Sequence, residues 1–157
     1  MCGVMPPDLS LEWLRAGLAL DAAQADEVRA RLPVDANDFE ACVMLLGYAS
    51  RRQQVEGVES DTFREHLLWC IAHRPRAALH ESPLVDAEAS ESLVAAMCEQ
   101  WEAVLAGAPD DTLVLTHAGL ALIFAAEFEL ALSKFERLEQ LEPSNPAWPA
   151  WISRCLT

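Results

Sequence analysis

Residues 112–125 are apolar almost all the way round, with Leu113, Val114, Leu115, Ala118, Leu120, Ala121, Leu122, Ile123 and Phe124 leaving no polar face. A helix of that kind needs cover on several sides, because its exposed area would otherwise drive aggregation. The run is too short for a membrane span, which needs roughly 18 apolar residues or more, and Thr112, Thr116 and His117 interrupt it. The pattern therefore predicts an inner helix, with Asp110 and Asp111 placed to cap its first turn. A second helix, about 127–141, is amphipathic. Phe128, Ala131, Leu132, Phe135, Leu138 and Leu141 recur at spacings of three and four among charged residues, and Pro143 ends it.

The rest of the chain repeats this alternation less cleanly. Residues 1–8 form a tail stopped by Pro6-Pro7. A helix over about 9–20 lines up Leu11, Leu14 and Leu18 beside Trp13, and Asp21 with Gln24 opens a capping-box helix over 22–32. Asn37 or Asp38 caps a third helix, about 38–54, with Phe39, Val43, Leu45 and Leu46 inward. Gly57 breaks the chain. Thr62 and Glu65 fit a capping box on a fourth helix, 61–73, carrying Phe63, Leu67, Leu68, Trp69 and Ile71. Residues 74–87, with Pro75 and Pro83, read as an irregular exposed loop. A fifth helix, 88–106, carries Leu93, Val94, Met97, Trp101 and Leu105, with Gly107 placed as its left-handed terminator. Ser144-Asn145-Pro146 starts a last short helix to about 155 with Trp148, Trp151 and Ile152. No stretch alternates with period two, so the expected fold is all-α, about seven to eight helices in one domain over 1–157. Within it, 9–73 is a divergent N-terminal part, 88–143 the more regular part, and 144–157 a capping helix.

Leu115-x2-Ala118-Gly119-x2-Leu122, then Ala131-x3-Phe135, then Pro143 has the spacing of the tetratricopeptide repeat, which this segment resembles. Stepping back by the family's period of about 34 residues reaches Pro109 and Pro75. The same step carries Ala131/Phe135 onto Met97/Trp101 and Phe63/Leu67. The middle unit departs from the motif, since residues 78–92 hold Pro83 and no apolar stripe. The resemblance implies a short α-solenoid of antiparallel helical hairpins. Gly119 and Ala131 would allow close approach there, and Phe135 and Trp101 would wedge where neighbours meet.

Eleven basic residues against 25 acidic ones give a net charge of −14. Such a field repels nucleic-acid backbones and anionic membranes; it serves solubility or a cationic partner. Five cysteines, Cys2, Cys42, Cys70, Cys98 and Cys155, are widely spaced with no CxxC pair, which suits reduced thiols in a cytoplasm. The N-terminus shows no secretory signal pattern.

Candidate chemistry is sparse. His66, Cys70 and His73 fall on one face of the fourth helix, at spacings a zinc or copper site can use, and form the alternative, metal-binding or sensor, reading. His117 in an apolar helix is expected to bond a backbone carbonyl. Met1-Cys2-Gly3-Val4 resembles the start of N-terminal-nucleophile amidotransferases, but nothing further along does. With no glycine-rich phosphate loop, HExxH, GxSxG or paired-carboxylate signature, the expectation is a protein that is not an enzyme and uses no cofactor. The repeat resemblance instead implies an apolar groove for a peptide or helix of a partner protein. It would be lined by Leu113, Thr116, Leu120 and Ile123; Trp148 and Trp151 are candidate further anchors, although a terminal helix that covers the last open face of a repeat array is the favoured role for them. A basic clamp for C-terminal carboxylates is missing there, and a homodimer could fill the same groove.

Overall fold

The computed structural model describes residues 7–57, 60–83 and 90–157. Among them the chain forms eight α-helices and one 3-10 turn, with no strand. The helices are α1 (Ser10–Ala19), α2 (Ala22–Arg29), α3 (Phe39–Glu56), α4 (Asp61–His73), α5 (Glu91–Gly107), α6 (Thr112–Phe124), α7 (Phe128–Leu141) and α8 (Ala147–Cys155); the 3-10 turn is Ala78–Glu81. No described helix is long and apolar enough to cross a membrane.

Helix starts follow the side-chain oxygens available to their free N–H groups. Asp21 and Gln24 form the reciprocal capping box of α2, and Asp38, Ser90 and Asp111 cap α3, α5 and α6. Each such cap is worth about 1 kcal/mol. Two expectations change. Ser60, not Thr62, caps α4, because its hydroxyl accepts from the Phe63 N–H at 3.1 Å. Gly107 remains helical, and α5 is ended by Ala108, whose helical geometry is disfavoured by Pro109. Among the described residues the left-handed region is used by Gly57, which terminates α3, and by Ala126 in the tight α6–α7 turn.

Two close helix approaches set the packing. In α1 and α3, a Cβ on Gly17 would lie 2.0 Å from the Met44 carbonyl oxygen, and one on Gly47 would lie 2.3 Å from that of Leu14. The two backbones touch through paired glycines. In α6 and α7 the fit is backbone against ring: a Cβ on Gly119 would sit 2.8 Å from the tip of the Phe135 ring. Phe135 and Trp101 are both fully buried within one large core that draws on α1 and α3–α8. Burying one such side chain contributes about 1.5–3 kcal/mol. A smaller cluster of Leu20, Ala25, Val28, Ala41 and Leu45 seats α2 on α3.

Residues 74–83 overturn the expectation of an exposed loop. Ala77, Leu79 and His80 are buried, and the 3-10 turn packs between α1 and α6. Its backbone is tied to the start of α1, with Asp8 accepting from the Ala78 N–H at 2.7 Å and Ser10 accepting from the Leu79 N–H at 3.0 Å. The segment carries no helical stripe because a single turn buries two neighbouring residues, a pattern periodicity does not register.

Candidate functional site

Helix α6 supplies the surface that the sequence singles out. Leu113, Thr116 and Leu120 are half-buried, and Phe124 continues their row at the helix C-terminus. These four positions recur every three or four residues, so they make one stripe about 16 Å long. Ile123 does not belong to it. Its side chain is only 5% exposed and belongs to the core. Thr116 donates its hydroxyl hydrogen to the Thr112 carbonyl at 2.7 Å, which leaves the middle of the stripe without an unmet polar group.

The two C-terminal tryptophans take another role. Trp148 is 6% exposed, donates its indole N–H to Glu142 at 3.2 Å, and lies against Phe135 with ring centroids 6.3 Å apart. It has little surface to offer a partner, which favours the capping reading over the anchor. Trp151 is half-buried, stacks on Phe135 at 5.7 Å, and has the Arg154 guanidinium over its ring. Helix α8 thus covers α7 through an aromatic trio, and these rings are a cap.

The His66/Cys70/His73 set is not brought together. His73 turns outward, stacks on Trp69 with centroids 4.7 Å apart, and bonds the Trp69 carbonyl at 3.0 Å. Cys70 is fully buried. Its near neighbour is Cys42 from α3, with sulfurs 3.8 Å apart, and Cys42 in turn lies 3.4 Å from His66 Nδ1. Among the described residues no group of three or more His, Cys, Asp or Glu side chains has metal-holding geometry. The one-face argument fails because three residues on a helix stripe still choose rotamers, and Trp69 captures the last of them. The Met1-Cys2-Gly3-Val4 resemblance lies outside the described residues.

A row of aromatic rings escaped the sequence reading. Trp13 meets Phe39 edge-on at 5.5 Å, Phe39 lies 6.4 Å from Trp69, and Trp69 carries His73. Arg74 lies over Phe39 at 5.4 Å. Each residue comes from a helix or its end, and Trp13, Phe39 and Trp69 are half-buried. Their spacing in the chain, 26 and 30 residues, carries no local signal.

His80 and His117 face each other inside the protein, ring centroids 5.9 Å apart and each 1% exposed. As expected, His117 bonds a backbone carbonyl, donating from Nδ1 to Pro75 at 2.9 Å; its Nε2 lies 3.4 Å from the Glu81 carboxylate. His80 donates from Nε2 to the Arg74 carbonyl at 3.1 Å and meets Trp101 edge-on. Burial, reinforced by His117, pushes the His80 pKa down to about 3. Since an unfolded histidine titrates near ~6.5, the stability held by neutral His80 is present above that pH and lost as pH falls toward about 3. Urea unfolding at pH 5.5 should show about 1 kcal/mol less stability from this group than at pH 7, at about 1.4 kcal/mol per pH unit. In His80→Phe the slope between those two pH values should flatten; an unchanged slope would remove His80 as its source.

A cleft of about 270 Å³ between α2, α3 and the start of α4 is lined by Arg29, Tyr48, Arg52, Ser60 and Thr62. Its arginines are engaged, Arg29 with Asp26 and Arg52 bidentately with Glu56 at 2.9 Å, so the cleft does not concentrate positive charge. Comparison with protein-family models, curated proteins and solved structures finds no significant match.

Proposed function

We propose that this protein is a non-catalytic interaction module that holds a peptide or helix of a partner protein along α6. The observation that carries this reading is the half-buried stripe of Leu113, Thr116, Leu120 and Phe124 on a helix otherwise enclosed by the core. Leu113, Leu120 and Phe124 in one row, with Thr116 among them, present partly exposed apolar surface that gains by being covered. Spacing of three and four suits an amphipathic helix laid alongside. The net charge of −14 favours a partner segment whose polar flank is basic. The tetratricopeptide spacing of 112–143, and the Phe135 ring seated over Gly119, support a repeat-like hairpin as the scaffold of that surface.

Affinity capture from the native cell should enrich one partner with the wild-type chain. Leu120→Glu should lose at least about tenfold in binding, the cost of about 1.4 kcal/mol at a contact centre. Thr116→Arg, which places its charge at a half-exposed position, is the companion variant for the case that Leu120→Glu unfolds. Equal capture by a folded Thr116→Arg protein would count against the stripe. Light scattering over a concentration series separates a second reading, in which two copies cover each other's stripes.

A further inference from the structure

We infer that Cys42 and Cys70 form an oxidation site, in which a hydroperoxide oxidises Cys42 and Cys70 then closes a disulfide between α3 and α4. The juxtaposition is specific. The two residues lie 28 apart in the chain, on helices that pack against each other, with their sulfurs 3.8 Å apart and His66 Nδ1 3.4 Å from Cys42. A disulfide needs an S–S distance of about 2.05 Å, so the two sulfurs, 3.8 Å apart, have to close by roughly 1.8 Å. Cys42 and Cys70 are both buried and His66, in contact with Cys42, is half-buried, so the oxidant this site calls for is one as small as hydrogen peroxide.

The environment divides the two sulfurs into different roles. The hydrogen-bonding contact with Cys70 lowers the Cys42 pKa, against the opposing effect of burial, and His66 lowers it further; Asp38 acts weakly the other way. Cys70 is pushed up by donating to Cys42 and by its own burial, with Arg74 opposing. A sulfur whose pKa is lowered beside one whose pKa is raised suits an attacking and a resolving cysteine. Cys98 and Cys155, on α5 and α8, are pushed up by burial and have no thiol partner in contact among the described residues.

The chemistry balances with one peroxide. Cys42 thiolate attacks a peroxide oxygen, the O–O bond breaks, and the departing hydroxide takes up the proton Cys42 released, leaving a sulfenic acid and water. Cys70 sulfur attacks the Cys42 sulfur, the S–O bond breaks, and the departing hydroxide takes the Cys70 proton as a second water. Each sulfur is oxidised by one electron and the peroxide is reduced by two.

The test treats the full chain with a small excess of hydrogen peroxide, quenches with an alkylating reagent, and maps the products by peptide mass spectrometry. The expected product is a linked pair of peptides containing Cys42 and Cys70, with Cys98 and Cys155 recovered alkylated. In Cys70→Ser, dimedone should label Cys42; in Cys42→Ser, no dimedone adduct should form at Cys70. His66→Phe should slow formation of the link several-fold without abolishing it. The proposal is overturned if the wild-type chain gives no Cys42–Cys70 link, or if Cys98 or Cys155 is oxidised ahead of Cys42. The wild-type mapping decides even if a variant fails to fold, and neither result bears on whether the α6 stripe takes a partner.

Discussion

Gly17→Ala is expected to destabilise the protein by at least about 2 kcal/mol, although alanine is the better helix former by about 1 kcal/mol. The added methyl would lie 2.0 Å from the Met44 carbonyl oxygen, and the obstacle is backbone, which no rotamer change can move aside. Relief requires α1 to lift from α3, which would uncover Leu14 and loosen the hydrogen bonds by which Asp8 and Ser10 hold the 3-10 turn. Gly107→Ala is the matched control. That glycine is helical with nothing within 4 Å of an added Cβ, so the same substitution there should stabilise by a few tenths to about 1 kcal/mol. Opposite signs from one chemical change, measured by urea unfolding, would establish the α1–α3 crossing. Equal signs would contradict it.

Phe135→Ala is expected to cost about 3–5 kcal/mol, a large part of the roughly 5–15 kcal/mol that holds a domain folded. The ring fills the space over Gly119, and both Trp148 and Trp151 rest on it. Its loss leaves a cavity bounded by a rigid glycine backbone on one side and two large rings on the other, none of which collapses easily. Loss of helix α8 from the body should accompany the change, seen as a red shift in tryptophan emission before global unfolding. A cost under about 1 kcal/mol, with emission unchanged, would mean that Phe135 does not join these three elements.

The features that could be read from the chain are those written in local spacing. Helices α4, α5 and α7 follow from apolar residues at three and four, α7 also from Pro143 behind it, and α6 from an unbroken apolar run with Asp111 ahead of it. The burial of Phe135 and Trp101 follows from their place on those stripes. What could not be read depends on partners across helices. The Gly17–Gly47 contact is a missing side chain on each helix, and a hydrophobic pattern records side chains that are present. Cys42 sits 28 residues before Cys70 and shares no motif with it, so the thiol neighbour was invisible while His73, three residues after Cys70, looked eligible. That Ile123 is buried in the core while Phe124 stays half-buried is decided by the packed neighbours of α6, which the sequence of one helix does not name.

The candidate site divides in the same way. Leu113, Thr116 and Leu120 were legible as one face of an apolar helix, and they remain half-buried. Trp148 was eligible as an anchor by residue type alone, yet the ring of Phe135 and the carboxylate of Glu142 hold it inside. Residue type proposes a binding aromatic; the neighbour that already covers it decides.

The most direct measurement places a photo-crosslinking amino acid at Thr116 in the native cell, with the same reagent at exposed Arg29 for comparison. A partner segment lying along α6 predicts a heteromeric adduct from position 116 that is absent from position 29. Adducts of equal yield from both positions, or none from position 116 in a folded protein, would contradict α6 as the docking surface.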